Sequence, residues 1–115
     1  MSVTLYHNPQ CSKCREALAL LRARGIEPEI VEYLKTPPTR EDLTRILAAL
    51  SLEPRALLRT KEAAYRDNGL DDLKLSREAL IDAMVTHPKL IERPIVLRDG
   101  RGVLGRPPAK ILELL

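Results

Sequence analysis

The sequence predicts an α/β fold with a mixed β-sheet, and three patterns along the chain support this prediction. The N-terminal third holds an apolar run, an amphipathic helix pattern and an alternating run, which together indicate a β-α-β unit. The C-terminal end holds two apolar runs joined by Asp99-Gly100 and then a proline-led helix, which indicates a β-β-α unit. The block between them, about residues 39 to 88, carries helix signals alone.

The first strand is predicted over Val3 to Tyr6, and an amphipathic helix follows from about Ser12 to Arg24. Gly25 is placed to end that helix. Glu29 to Tyr33 alternates between polar and apolar residues and is the second predicted strand. A helical crossover of this length predicts that the two strands are parallel.

The middle block contains several helix start signals. Thr39 and Ser76 are predicted N-cap residues of two longer helices, because their hydroxyls can accept hydrogen bonds from the first helical N–H groups. Shorter helices are predicted to begin at Pro54 and Glu62, and His87-Pro88 ends the last helix of the block.

The C-terminal hairpin is predicted from two strands, Ile95 to Arg98 and Gly102 to Leu104, around the Asp-Gly turn. A last helix is predicted to begin at Pro107-Pro108, since proline is favoured in the first turn. The residues of that helix expected to face inward are Ile111, Leu112 and Leu115.

Length and composition narrow the class of protein. At 115 residues we expect one domain, residues 1–115, with the helical block as an insertion. The net charge of +3 comes from scattered basic residues, which argues against a nucleic-acid partner. The sequence has no apolar stretch of membrane-spanning length and begins on a strand pattern without an apolar leader. We therefore expect a cytoplasmic protein that does not enter a membrane. We also expect a monomer, because the sequence shows no large apolar surface stripe beyond the helix faces.

The two cysteines lie where the first strand passes into the first helix. N–H groups at a helix start have no partner within the helix and carry partial positive charge, which lowers the pKa of a thiol placed there. Cys11 is therefore the predicted exposed nucleophile. Cys14 shares a helix face with Leu18 and Leu21 and is expected to point partly toward the core.

Two other interpretations of the cysteines are open. They could be small buried hydrophobic residues. They could also bind zinc, but the other histidine and cysteine ligands available are only His7 and the distant His87, and no second C-x-x-C occurs. We favour a redox-active or nucleophilic thiol and expect no metal.

The order of elements, with C-x-x-C at the first helix, resembles the thioredoxin fold, with the helical block inserted between its two halves. Proteins of that fold carry a cis-proline before the third strand, facing the active cysteine. Pro94 follows Arg93 at the corresponding place. The resemblance therefore predicts a cis Arg93–Pro94 bond.

Three arginines, Arg59, Arg93 and Arg106, have planar charged guanidinium groups suited to binding oxyanions. Together with the cysteine loop, their surroundings resemble the ArsC-type arsenate reductases that are coupled to glutathione and glutaredoxin. The resemblance extends over nearly the whole chain. The matching stretches are Tyr6-His7-Asn8-Pro9 leading into Cys11, Tyr33-Leu34-Lys35-Thr36-Pro37-Pro38-Thr39-Arg40, Arg55-Ala56-Leu57-Leu58-Arg59, His87-Pro88, Ile91-Glu92-Arg93-Pro94-Ile95-Val96 and Arg106-Pro107.

This resemblance implies an activity, the reduction of arsenate to arsenite, and a role for each site residue. Cys11 would attack arsenate, and His7 would help to lower the pKa of that cysteine. The three arginines would bind the oxyanion. No bound cofactor is implied, and the reductant would be glutathione or another thiol, with glutaredoxin or thioredoxin as the protein partner.

One position departs from the best-known plasmid-type enzymes, which carry serine where this chain has Cys14. Cys14 could therefore serve as an internal resolving thiol, whose disulfide with Cys11 thioredoxin or glutaredoxin would reduce. The ending Gly105-Arg106-Pro107-Pro108 is more similar to the chromosomal, arsenate-reductase-like branch of the family.

Two alternative functions belong to other classes. The same fold resembles Spx-type transcriptional regulators, which use a C-x-x-C as a redox switch. A general thiol-disulfide oxidoreductase is the third possibility. Neither alternative needs an oxyanion site, so the presence of both Arg93-Pro94 and Arg106-Pro107 favours the reductase.

Overall fold

The computed structural model describes residues 2–115, which form two compact units. The sheet unit comprises the chain up to Thr36 and from Arg93 onward. The helical unit comprises Pro37–Glu92. The expectation of a single domain stays a prediction. None of the helices within residues 2–115 is both long enough and apolar enough to span a bilayer.

The sheet unit contains four strands: β1 (Val3–His7), β2 (Glu29–Glu32), β3 (Ile95–Arg98) and β4 (Arg101–Leu104). Their order across the sheet is β2-β1-β3-β4. β1 pairs with β2 in parallel and with β3 antiparallel, and β3 and β4 form an antiparallel hairpin. The predicted mixed sheet and its parallel first pair are therefore confirmed.

Two helices, an α-helix and a C-terminal 3-10 helix, complete the core of the sheet unit. α1 (Ser12–Ala23) and a 3-10 helix (Pro108–Leu114) pack against each other and share one apolar cluster with the strands. Gly25 follows α1 with a positive φ of 75°, as expected of the residue that ends it. The buried members of the cluster are Val3, Leu5, Ala17, Leu21, Val96, Ile111 and Leu114.

The terminal helix differs from the sequence prediction. Leu112 and Leu115 were expected inside, but each is 37% exposed, and Leu114 is buried instead. The segment is a 3-10 helix, whose period of three residues brings Ile111 and Leu114 onto the same face. The prediction was wrong because it assumed the wider spacing of an α-helix.

The start of β3 and the end of β4 meet closely. The Arg93–Pro94 bond is cis, as predicted, and the Arg106–Pro107 bond is also cis, which the sequence analysis did not predict. The Gly105 N–H donates a hydrogen bond of 2.9 Å to the Pro94 carbonyl. A Cβ atom on Gly105 would lie only 2.9 Å from the Pro94 ring, so this position has no room for a side chain.

The helical unit contains four α-helices and one 3-10 turn: α2 (Arg40–Leu50), α3 (Pro54–Leu57), α4 (Ala63–Asp67), α5 (Arg77–Thr86) and the turn Pro88–Leu90. Thr39 and Asp42 form a reciprocal capping box at the start of α2. The Ser76 hydroxyl accepts a hydrogen bond from the Ala79 N–H at the start of α5. Both predicted N-caps are confirmed.

We expect Gly105→Ala to lower the free energy of unfolding by about 1–3 kcal/mol, because the added methyl group overpacks the contact with Pro94 and Ile111. Urea unfolding followed by circular dichroism measures this change. Arg101→Ala, at an exposed position of the same hairpin, is the control and should change stability by less than about 0.5 kcal/mol. Equal stabilities of the Gly105 and Arg101 variants would contradict the prediction.

Candidate active site

The loop between β1 and α1 fixes the position of Cys11. The Cys11 N–H donates to the Asn8 carbonyl at 2.9 Å, and the Gln10 N–H donates to the Asn8 side-chain oxygen at 3.0 Å. The Arg15 guanidinium reaches back from α1 and donates to the Pro9 carbonyl at 2.9 Å. Cys11 therefore occupies the N-cap position of α1 with an extended backbone.

The Cys11 sulfur is in an environment that favours the thiolate. Burial by itself raises the pKa of this thiol, but the Cys14 N–H, the Arg93 guanidinium and the Cys14 thiol together outweigh it and lower the pKa below 9.0. The Cys14 N–H acts without the geometry of a standard capping hydrogen bond. The result is a nucleophilic sulfur at the start of a helix.

Cys11 is only 9% exposed, so the prediction of an exposed nucleophile was wrong. Its sulfur interacts with Arg93 and Cys14 of the same unit rather than with open solvent. A helix start gives no information about such tertiary contacts, because the covering groups come from elsewhere in the chain.

Cys14 lies one turn further into α1 and is completely buried, which confirms its predicted inward direction. Burial, with a smaller contribution from Cys11, raises its pKa to about 12, while a hydrogen bond with the Asn8 backbone opposes this shift. Cys14 is therefore a protonated thiol at neutral pH. Both cysteines are free, with no disulfide between them.

The two C-terminal arginines lie together. Arg93 is half-buried and is separated from the start of β3 by Pro94 alone, and its side chain hydrogen-bonds to Cys11. Arg106 follows β4, and its Nε donates a hydrogen bond of 2.7 Å to the Arg93 carbonyl. The antiparallel hairpin thus brings the two residues to the same edge of the sheet.

Tyr33 is a site residue that the sequence analysis missed. It follows β2, is 1% exposed, and its hydroxyl has no hydrogen-bond partner among the described residues. Burial raises its pKa to about 12, and Arg93, Cys14 and Cys11 all act electrostatically on it. The alternating pattern identified Tyr33 only as the end of a strand. A buried hydroxyl near charged groups is visible only in three dimensions.

His7 is the last residue of β1 and is buried beside β2, where it pairs in register with Glu32. Burial lowers its pKa below 6.5, and Arg22 and Arg15 add to this effect, while Glu32 opposes it. The imidazole is therefore neutral at neutral pH and brings no positive charge to the site. Its predicted influence on the pKa of Cys11 stays a prediction.

Arg59 belongs to the helical unit and is held there by two carboxylates. Its Nε lies 3.1 Å from a Glu92 oxygen and its Nη1 lies 3.5 Å from a Glu62 oxygen. Its backbone N–H donates to the Leu90 carbonyl at 2.7 Å. These acids offset much of the positive charge that oxyanion binding would use, and the sequence analysis did not foresee them.

The structure therefore brings together Cys11, Cys14 and Arg93, and it ties Arg106 to the main chain of Arg93. In the part of the chain that the structure describes, no group of three or more histidine, cysteine or acidic side chains is placed to hold a metal ion. A thiolate beside a guanidinium group can attack an electrophilic centre that carries anionic oxygens.

The sequence profile of the ArsC family matches residues 6–114 of this chain. The chain belongs to the ArsC family. A solved structure titled as an arsenate reductase from Vibrio cholerae superposes with a TM-score of 0.98 at 52% identity, covering 100% of this chain and 98% of that one. The resemblance stated from the sequence and the thioredoxin-like fold are thereby confirmed.

Curated relatives of this ArsC-family protein cover it end to end. The YfgD protein of Escherichia coli (strain K12) is 52% identical over 98% of this chain and 96% of its own length. An arsenate reductase of Neisseria meningitidis is 45% identical over 98% of this chain and 97% of its own length. The similarity therefore includes both units and every predicted site residue lies within it.

We expect His7 to make folding stability sensitive to acid. Because the pKa of folded His7 lies below 6.5, the unfolded chain binds a proton at His7 more readily. Its contribution to stability is therefore complete above pH 6.5 and is lost as the pH falls toward the folded pKa. Urea unfolding at pH 7.5 and 5.5 measures this loss.

His7→Gln provides the comparison, because glutamine does not titrate in this range. The difference in stability between pH 7.5 and 5.5 should be smaller in His7→Gln than in the unmodified protein. An equal loss of stability in both proteins would show that His7 does not remain neutral in the folded state.

Proposed function

We propose that this ArsC-family protein reduces arsenate to arsenite, with Cys11 as the nucleophile. The observation that carries the proposal is the position of the Cys11 sulfur, which lies at a helix start and is hydrogen-bonded to the Arg93 guanidinium, so that its pKa is lowered. The relative from Neisseria meningitidis and the structure from Vibrio cholerae, both named as arsenate reductases, support it. The arginines supply what a simple disulfide switch does not need, which is a site for an oxyanion.

In the first step the Cys11 thiolate forms a bond to arsenic, and one arsenate oxygen takes up protons and leaves as water. Arg93 and Arg106 bind the remaining oxygens and stabilise their negative charge in the transition state. Arg59 is included as a third anion-binding residue on the family resemblance alone, and its ion pairs with Glu62 and Glu92 reduce the positive charge that it can offer. The product is a Cys11–arsenate adduct in which arsenic is still As(V).

In the second step a thiol attacks the Cys11 sulfur. The sulfur–arsenic bond breaks, and its electron pair stays on arsenic, which becomes As(III) and leaves as arsenite. The two sulfurs are oxidised to a disulfide, so the two thiols supply both electrons. The reaction needs no resident cofactor.

We propose that the second thiol comes from another molecule, with glutathione as the simplest candidate. Glutaredoxin then reduces the mixed disulfide between Cys11 and glutathione. Cys14 is poorly suited to this attack, because it is completely buried and its pKa of about 12 keeps it protonated. We instead assign Cys14 the role of a hydrogen-bond donor to the Cys11 thiolate. An internal route through Cys14, with thioredoxin as reductant, is the alternative outcome of the test.

We expect arsenate-dependent NADPH oxidation by the reduced protein in the presence of glutathione, glutaredoxin and glutathione reductase. Turnover should vanish in Cys11→Ser. It should fall by about 100-fold or more in Arg93→Ala, because a group that stabilises developing charge is lost. Arg24→Ala, at the exposed far end of α1, is the control and should turn over normally.

A second set of reactions contains thioredoxin and its reductase in place of glutathione and glutaredoxin. Turnover only with thioredoxin, and its loss in Cys14→Ser, would establish the internal route. The absence of arsenate-dependent turnover with either reductant would reject the proposed function and favour a redox switch or a general disulfide oxidoreductase.

Two substitutions at Cys14 test its role as a donor. Cys14→Ser keeps a hydroxyl donor and should leave the pKa of Cys11 low, whereas Cys14→Ala removes the donor and should raise it. The pH dependence of iodoacetamide alkylation at Cys11, followed by mass spectrometry, measures both. Identical profiles for the serine and alanine variants would contradict the assignment.

A further inference from the structure

We propose that Tyr33 is a positioning residue that holds the Arg93 guanidinium against the Cys11 sulfur. Tyr33 follows β2, the edge strand beside β1, and so reaches the site from a different strand than the other residues. The consequence for arsenate turnover rests on the proposed function. The consequence for the reactivity of Cys11 does not.

The first observation is a buried hydroxyl without a partner. Tyr33 is 1% exposed, and its oxygen has no hydrogen-bond partner among the described residues. Buried polar groups in folded proteins are almost always hydrogen-bonded, because an unpaired one loses its interaction with water and gains nothing. Packing alone would be served as well by a phenylalanine. The hydroxyl therefore indicates a polar task at this position.

The second observation is a complementary unpartnered atom. The Nε of Arg93 is also buried and without a hydrogen-bond partner in the described structure. Tyr33 and Arg93 interact electrostatically, although their atoms do not reach standard hydrogen-bond geometry. A hydrogen bond from Nε–H to the tyrosine oxygen satisfies both atoms together. Neither atom has another hydrogen-bond partner in the part of the chain that the structure describes.

This pairing determines how the arginine is used. Arginine has five N–H donors in a rigid plane, so fixing Nε fixes the direction of the terminal nitrogens. Those nitrogens are then left for the Cys11 sulfur and for anionic oxygens of a ligand. The main chain of Arg93 is held in turn by the Arg106 side chain, through the 2.7 Å bond to its carbonyl. Tyr33 and Arg106 thus fix the two ends of the same residue.

The test is the pH dependence of Cys11 alkylation by iodoacetamide in Tyr33→Phe. Loss of the hydroxyl should loosen Arg93 and move the midpoint of the alkylation profile to higher pH. The rate at a pH below the midpoint should fall about threefold to tenfold. Thermal unfolding of the same variant shows that the fold is intact, since phenylalanine fills nearly the same volume.

Tyr65→Phe is the matched control, because Tyr65 is partly exposed in α4 of the helical unit. Its alkylation profile should equal that of the unmodified protein. In an Arg93→Ala background, Tyr33→Phe should cause no further shift, because the residue acts through Arg93. A purely structural role for Tyr33 would change thermal stability and leave the profile in place.

Two results would overturn the proposal: an unchanged alkylation profile in Tyr33→Phe, or an equal shift with and without Arg93. Alkylation needs no arsenate, so these results are independent of the proposed function. If the unmodified protein did not reduce arsenate, the proposed function would fail, and a shift in Tyr33→Phe would still establish the positioning role.

Discussion

The stabilisation of a nearly buried thiolate is the interaction on which the rest of the site depends. A sulfur anion removed from water is unfavourable unless positive charge and N–H groups replace the solvent. At Cys11 these come from the first turn of α1, from the Cys14 thiol and from Arg93. The protein has no disulfide here and keeps both thiols free. The N–H groups, the Cys14 thiol and the Arg93 guanidinium around the loop thus all stabilise one negative charge, that of the Cys11 sulfur.

The topology of the sheet explains why those groups meet. β1 is a central strand, and the Cys11 loop follows its C-terminal end. β2 runs parallel to β1, so Tyr33 follows it at the same edge, while antiparallel β3 begins there directly after Arg93 and Pro94. Residues far apart in the sequence are thus delivered to one end of the sheet. The register of Tyr6 opposite Ile95 fixes this arrangement.

Much of the fold could be predicted from the sequence, because its signals are local. Strand alternation, the Asp99-Gly100 turn and the caps at Thr39 and Ser76 depend on neighbouring residues alone. The cis bond before Pro94 was predicted by resemblance rather than by any local signal. The family could also be predicted from the sequence, because its motifs, including the cysteine loop, follow one another in a fixed order along the chain.

The rest of the site could not be predicted, because it depends on contacts between distant segments. The low exposure of Cys11, the unpartnered hydroxyl of Tyr33 and the carboxylates around Arg59 are all tertiary features. The inward face of the C-terminal 3-10 helix was predicted wrongly for a different reason, because the periods of an α-helix and of a 3-10 helix both fit a short apolar segment. The sequence therefore predicts several residues of the site, but not the residues that each of them contacts in the folded chain.

The pairing of β3 with β1 also completes the surroundings of the thiol. Cys11 is near the start of the chain, whereas Arg93 reaches it only when the long segment between β2 and β3 is closed, which costs chain entropy. Without that closure the sulfur keeps the N–H groups at the start of α1 but lacks the guanidinium group. The low pKa of Cys11 is therefore a property of the closed sheet, and it cannot be transferred to another protein by moving the cysteine loop alone.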